Sequence, residues 1–381
     1  MIYLDNSATT KPSKAVLDTF LQVNEHYYAN PASIHQAGVE ANDLLTRARE
    51  QLANILKTDA KQVIFTSGGT ESNNFAFHSV ARSNAHIGKH IIVSEIEHPS
   101  VLEAAKRLIK EGYEVEYLRV DANGAVSLDQ LKRILRKDTI LVSVMHVNNE
   151  VGAIAPISEI AKIVHENSRA LFHMDAVQSF GKLPVQFNGE NGPDIVTVSG
   201  HKINGLKGSG LIAFRKQVNV TPFIIGGGQE FGLRSGTVAV PLAVSLAKAA
   251  RLAVEAIDQH TVNFKKWNDE LREFLANFQD EVFILSPENG ASHILSFSVK
   301  ALKGEILINA LQKRDVIVST SSACSSKQTK NSHVVEAMKI PEVYKKGVIR
   351  ISFGATTTND DIEAFKKALQ HVMDELKGAV K

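Results

Sequence analysis

The chain is almost without cysteine. Among 381 residues there is one, Cys324, so no internal disulfide can form and neither a CxxC pair nor a cysteine-based zinc site is available. That fits a reducing compartment, with the cytoplasm as the expected setting. A surplus of one charge is also missing. Forty-three Lys and Arg face 41 Asp and Glu for a formal net charge of +2, with no long block of like charge, which argues against stable electrostatic binding of nucleic acid. Long apolar runs are absent. No stretch reaches the roughly 18 apolar residues of a membrane span, and the start, Met1-Ile2-Tyr3-Leu4-Asp5-Asn6, lacks a basic segment followed by an apolar one. Walker A and GxGxxG spacings do not occur, which disfavours nucleotide binding in those forms. No internal repeat or low-complexity segment is found.

What is present reads as an α/β protein. With 44% hydrophobic and 22% charged residues, the chain is long enough for a large core and a second, smaller one. From about residue 41 to 215, short β-branched runs alternate with helical patterns, the signature of stacked βαβ units and a mainly parallel sheet. Strands are expected at 62–66, 90–94, 114–119, 139–146, 170–174, 194–199 and 210–214, seven in all. Crossover helices are expected at 127–136, with Ser127 as N-cap, and at 157–167. A long helical pattern over 241–278 ends this region. Beyond it the spacing predicts strands at 281–285, 292–299, 316–320 and 348–353, and helices at 304–313 and 359–376. The expected division is a large domain over 15–255 and a smaller α+β domain over 1–14 and 256–381, joined by a helix rather than a floppy linker. The N-terminal stretch, with its turn Asn30-Pro31-Ala32-Ser33, is expected to pack back on the smaller domain.

Open α/β sheets bind ligands beyond the carboxyl ends of their strands, and here those ends are unusually polar. The first is followed by Ser67-Gly68-Gly69-Thr70-Glu71, a glycine turn into a helix whose free N–H groups and dipole suit a phosphate. Alone it would more often be an ordinary capped βα turn. The second strand is followed by Glu97-His98-Pro99-Ser100 and the fourth by His146-Val147-Asn148-Asn149-Glu150. Singly, such residues are usually caps or satisfied core groups. The fifth leads to Asp175 and Gln178, and the sixth to Ser199-Gly200-His201-Lys202. An Asp there is either a turn residue or the partner of a protonated ring nitrogen in an electron-sink cofactor. A lysine there is either a solvated charge or a Schiff-base amine. Pyridoxal phosphate answers all of these groups together: an aldehyde for Lys202, a pyridine nitrogen for Asp175, a phosphate for Gly69 and Thr70, and a ring face for His98.

The motifs quoted, with Tyr3-Leu4-Asp5-Asn6-Ser7-Ala8-Thr9-Thr10, Asn30-Pro31-Ala32-Ser33-Ile34-His35, Arg234-Ser235-Gly236-Thr237, Ser321-Ser322-Ala323-Cys324 and Ile349-Arg350-Ile351-Ser352, closely resemble the pyridoxal-phosphate-dependent cysteine desulfurases of the NifS/IscS type. These are class-V aminotransferase-like enzymes of fold type I, and the resemblance covers almost the whole chain. It implies a homodimer that converts L-cysteine to L-alanine and leaves the sulfur on the enzyme as a persulfide. Lys202 would form the Schiff-base link and move protons, and His98 would stack on the ring and assist acid–base steps. Asp175 would pair with the ring nitrogen and Gln178 with the ring oxygen. Gly69, Thr70, Ser199 and His201 would hold the phosphate, joined by Thr237 from the second subunit, and Asn149 would line the cofactor. Arg350, with Asn30 beside it, would clamp the substrate carboxylate through its fork of donors. No metal is implied.

The lone thiol then acquires a reason. Cys324 sits among Ser, Thr and Ala between an expected strand and an expected helix, surroundings that favour turns and solvent rather than core packing. A thiolate is the nucleophile to which substrate sulfur would pass, and a loop with few bulky anchors suits a carrier that then meets an acceptor. The expected acceptors are a tRNA-thiolating enzyme, an iron-sulfur scaffold or a thiamine-pathway carrier. Two departures from the commonest pattern affect loop geometry: Ala29 stands where Gly often precedes Asn-Pro, and Asn204-Gly205-Leu206 follows the lysine in place of aromatic-Gly-Pro. The end at Gly378-Ala379-Val380-Lys381, without a longer scaffold-docking tail, leans the expectation toward a dedicated acceptor. Other fold-type-I enzymes, such as an aminotransferase or selenocysteine lyase, form the alternative reading, and a scaffold without catalysis is a third.

Overall fold

Six of the seven strands of one sheet are short apolar and β-branched runs buried at almost every position, as strands covered on both faces require. The seventh, Glu114–Leu118 at the sheet edge, buries only its last residue. The computed structural model describes residues 1–185, 187, 189, 191–320 and 331–379, with the backbone alone for 376–379. The chain starts with β1 (Ile2–Tyr3), α1 (Lys14–His26) and α2 (Gln36–Leu56). Strands and helices then alternate as β2 (Val63–Thr66), α3 (Gly69–Ser83), β3 (His90–Ser94), α4 (Pro99–Lys110), β4 (Glu114–Leu118), α5 (Leu128–Ile134), β5 (Thr139–Ser143), α6 (Ile157–Asn167) and β6 (Leu171–Asp175). After β7 (Ile195–Ser199) and β8 (Gly210–Phe214) come α7 (Val240–Glu255) and α8 (Ile257–Ala276). The remainder is β9 (Val282–Ile284), β10 (Ile294–Val299), α9 (Gly304–Gln312), β11 (Val316–Ile317), α10 (His333–Ala337), β12 (Val348–Ser352) and α11 (Asn359–Ala379).

The large sheet has the order β2-β8-β7-β6-β5-β3-β4. Its strands run parallel except β8, which is antiparallel to both neighbours. Beneath one part lies a core of Val63, Phe65, Val196, Val198 and Leu211 packed on α1, α2 and α7. A separate core gathers Phe264, Trp267, Leu295, Phe297, Ile349, Ile351 and Phe365 around the antiparallel sheet β9-β10-β12.

The α/β architecture with a mainly parallel seven-stranded sheet is the expected one, and several details differ. The pattern read as one helix over 241–278 is two, α7 and α8, because Ala256 leaves helical geometry (φ −96°, ψ 2°). Their apolar faces serve different cores, α7 the one under the large sheet and α8 the smaller one. The fourth strand stops at Ser143 instead of residue 146, where the N–H of Met145 is taken by the Glu97 carboxyl. The strand expected over 316–320 pairs with β1 only at Val316 and Ile317, and Ser319 adds a single separate bridge to Arg350. At the N-terminus only the first residues behave as expected: β1 pairs with β11 and Leu4 enters the smaller core. The Asn30–Ser33 turn instead joins α1 to α2, both packed against α7 on the large core. Helix α1, not among the expected elements, buries Val16 and Val23 and leaves Leu17 and Leu21 exposed.

Candidate active site

The carboxyl ends of β2 and β7 open on a pocket of about 500 Å³ lined by Ala8, Thr9, Ser67, Gly68, Gly69, Thr70, Ser199, His201 and Lys207. Helix α3 begins here with Gly68 at its N-cap and no side-chain cap, so the orphan N–H groups of its first turn face the pocket with the positive end of the helix dipole. Gly68 takes φ +147°, and a side chain on Gly210 behind it would come within 2.6 Å of the Gly68 Cα. The turn therefore depends on two facing glycines. The acidic side chain in that first turn, Glu71, is neutralised by Arg234 at 2.8 Å. His201, held by Thr9 Oγ1 at 3.1 Å, is pushed down to about 4 by burial, with Lys202, Lys207 and Lys182 adding to the shift. Lys207 is a lining residue that the motif reading did not single out; it lies beside the Gly205–Gly208 turn.

Lys202 sits just beyond β7, and its Nζ donates to the carbonyls of Ser7 at 2.5 Å and Ala8 at 2.7 Å. The N-terminal segment thus closes one side of the site. Asp175, buried at the end of β6, accepts from the Val177 N–H at 2.8 Å through Oδ1 and from Asn73 Nδ2 at 2.7 Å through Oδ2. The same Asn73 amide donates to Ser100 Oγ at 2.9 Å, and that oxygen lies 2.8 Å from His98 Nδ1. His98 is the N-cap of α4, its Nδ1 accepting the Ser100 N–H at 3.1 Å. Nδ1 therefore carries no proton, and the neutral ring bears its hydrogen on Nε2. Burial lowers the His98 pKa; Asp175 opposes the shift and Lys202 and His333 add to it. Asn73 and Ser100 were not singled out as site residues, although Ser100 stands inside a quoted motif and Asn73 two residues beyond another.

Two carboxyl groups at this end of the sheet have different surroundings. Burial and the Asp175 charge push the Glu97 carboxyl well above the usual carboxylate range, while Asp175 keeps two hydrogen-bond donors.

Gln178 is buried and donates through Nε2 to the Ser7 carbonyl at 2.9 Å, the oxygen that also receives Lys202. Arg350 on β12 is buried, with Nη1 donating to the Asn149 carbonyl at 2.8 Å and Nη2 paired to Asp5 at 2.8 Å; among the described residues its Nε has no partner. Asn148, by contrast, is structural: its amide ties the turn to Ile96, Glu150 and Val151. Two expected residues stand apart. Asn30 is exposed and accepts from the Ala32 N–H within its own turn. Thr237 is exposed and lines a neighbouring pocket with Ser67 and Gly208. Cys324 lies outside the described residues. The chain on either side of its segment is held at the site: Ser319 pairs with Arg350 through two backbone hydrogen bonds of 2.7 and 3.2 Å, Ser332 donates to Glu150 at 2.5 Å, and His333 Nε2 contacts the Glu97 carbonyl at 2.9 Å.

The sequence profile of the Aminotransferase class-V family matches residues 2–365. A cysteine desulfurase IscS of Dictyoglomus turgidum is 39% identical over 99% of this chain and 95% of its own length. The mitochondrial cysteine desulfurase of Saccharomyces cerevisiae is 40% identical over 97% of this chain and 74% of its own. The chain belongs to the cysteine desulfurases of the class-V aminotransferase family. A solved NifS-like protein superposes on this fold-type-I architecture with a TM-score of 0.92 at 36% identity, covering 98% of this chain and 99% of the other.

Enzymes of this family depend on pyridoxal 5'-phosphate, and the residues present fit it. An uncapped helix N-terminus flanked by Ser199, His201 and Lys207 suits a phosphate. A buried carboxylate fixed by two donors suits a protonated ring nitrogen, and the Lys202 amine suits the aldehyde. Among the described residues no helix is long and apolar enough to cross a membrane.

Proposed function

We propose that the chain is a desulfurase in which the substrate is L-cysteine and the sulfur is received by Cys324. The observation that carries this reading is the convergence of Lys202, the Asp175–Asn73–Ser100–His98 hydrogen-bond chain and Arg350 with both anchored ends of the segment that holds the only cysteine. When bound, pyridoxal phosphate draws electron density from the substrate and so loosens its C–S bond. Gly69, Thr70, Ser199 and His201 bind the phosphate, Asp175 the ring nitrogen and Gln178 the ring oxygen, with Asn149 and His98 against the ring. Lys202 anchors the aldehyde and carries protons at Nζ, and His98 offers a hydrogen at Nε2. The Arg350 fork takes the substrate carboxylate; the family resemblance assigns Asn30 to the same carboxylate. The C–S bond of cysteine breaks, an S–S bond forms between the Cys324 sulfur and the departing sulfur, and L-alanine leaves with the thiol hydrogen. Enzyme thiol plus cysteine thus become enzyme persulfide plus alanine.

The active form in this reading is a homodimer. Thr237 would complete the phosphate site of a second copy, and the exposed Ile225 and Phe231 on the same segment support a surface seated against one. The large domain over 15–255 carries the cofactor and the smaller one carries Cys324. The sulfur passes to an acceptor protein, a tRNA-thiolating enzyme or an iron-sulfur scaffold, in a cytoplasmic setting that suits a chain with a single thiol.

Two variants test the assignment. Lys202→Ala is expected to lose the visible absorbance of bound pyridoxal phosphate and all alanine formation. Cys324→Ser is expected to keep the absorbance and form no persulfide from labelled cysteine. Wild-type transfer of label to an acceptor by Cys324→Ser would refute the nucleophile, and release of keto acid in place of alanine would mark an aminotransferase.

A further inference from the structure

Lys182 is buried although it takes no part in the roles assigned above. It follows β6 in a turn where Ser179 and Phe180 N–H groups bond the Ala176 carbonyl and Lys182 bonds that of Ser179. Gln178 and Lys182, four residues apart, meet through their side chains within this turn. Gly181 between them has φ +70°, and a Cβ there would lie 2.6 Å from Ala253 Cβ on α7. The turn is thus pressed onto the core. The Lys182 amine donates to Gln178 Oε1 at 3.3 Å, the one acceptor recorded for it among the described residues.

A buried amine with a single acceptor and no carboxylate partner is costly unless the surroundings use it. Its charged neighbours, Lys202 and Arg350, are cations, and Arg350 already holds Asp5. Burial, then Lys202 and Arg350, push the Lys182 amine down to about 7. His293 beside it is also buried and kept neutral by burial and by Lys182. Such a cluster has room for negative charge that the described residues do not supply.

We infer that Lys182 is a positioning residue of the cofactor site, its amine fixing the Gln178 amide with Oε1 toward Lys182 and Nε2 toward Lys202 and the Ser7 carbonyl. A side-chain amide can rotate to exchange its oxygen and nitrogen ends. Here the Ser7 carbonyl can only accept and the lysine amine donates, so both ends select one orientation. Gln178 then presents its donor to the side of the pocket where a ring oxygen would sit, and the Lys182 charge favours that oxygen in its anionic form. The consequence for the cofactor rests on the desulfurase reading; the amide orientation does not.

The test is a double-mutant cycle on the full chain, read as pyridoxal-phosphate affinity and visible spectrum. Lys182→Met keeps the volume of the side chain and removes a buried polar group, so the cofactor-free protein should melt no lower than wild type. Its affinity for pyridoxal phosphate should fall about tenfold, the loss of one hydrogen bond to a charged group. Gln178→Leu should lose a similar factor, and the double variant little more than either alone. Additive losses, or wild-type affinity and spectrum in Lys182→Met, would overturn the inference. Absence of any visible band when wild-type protein is given pyridoxal phosphate would instead refute the desulfurase reading itself.

Discussion

Asn73 donates its side-chain amide to Asp175 Oδ2 at 2.7 Å, from the first turns of α3 to the end of β6, 102 residues further along the chain. With Ser100 Oγ as its second acceptor at 2.9 Å, this one amide ties the carboxylate to the hydroxyl that contacts His98. Both groups are buried, so the hydrogen bonds act in a low-dielectric setting where an unpaired partner is expensive.

Asn73→Leu removes both donors while keeping the volume close. A hydrogen bond to a charged group contributes about 1.5–3 kcal/mol, so affinity for pyridoxal phosphate is expected to drop at least tenfold as Asp175 loses the donor that orients it. Absorbance titration of the cofactor-free variant measures this. Affinity within twofold of wild type would show that the Val177 N–H alone suffices.

Arg350→Lys keeps the charge and loses the fork. One ammonium cannot reproduce the two parallel contacts of Arg350, to the Asn149 carbonyl and to Asp5. The expected result is a KM for cysteine raised about tenfold or more, with a smaller change in kcat, measured by alanine production. An unchanged KM would remove Arg350 from the substrate site.

Stability should fall on mild acidification. Burial lowers His146 to about 4 and His173 to about 3, against about 6.5 in an unfolded chain. Below about 6.5 the unfolded state binds protons that the folded state refuses, so unfolding is favoured as the pH falls toward those lowered values. The slope is about 1.4 kcal/mol per pH unit for each ring. Urea midpoints of cofactor-free protein at pH 7.5 and 5.5 should differ accordingly. His173→Asn should flatten that difference; an equal slope in the variant would place its origin elsewhere.

Much of the candidate site was legible in the sequence because each group follows a strand end, and strand ends in an α/β sheet converge. Asp175, His98, Ser199 and Lys202 were found in this way, and the family resemblance covered Arg350 and Gln178. Asn73, Ser100, Lys182 and Lys207 were not singled out. A second-turn asparagine in a helix, a helix-start serine and two lysines look like ordinary caps and surface charges until their neighbours are known. The long pattern over 241–278 misled for a related reason: apolar spacing continues smoothly through Ala256, while the core it faces changes from one cluster to the other.

The sequence by itself determined the periodicities that make the seven strands of the large sheet and their helices, the glycine turn before α3, and the presence of a single thiol. Tertiary structure decided which of the polar residues meet. It brought Ser7 and Ala8 onto Lys202, Ser319 and Asn149 onto Arg350, and Ser332 onto Glu150. The physical reason is that local spacing fixes only which face a side chain occupies, whereas hydrogen-bond partners far apart in the chain are selected by how the faces pack. Burial then pushes the Glu97 carboxyl well upward and the Lys182 amine down to about 7, while two donors hold Asp175 in place.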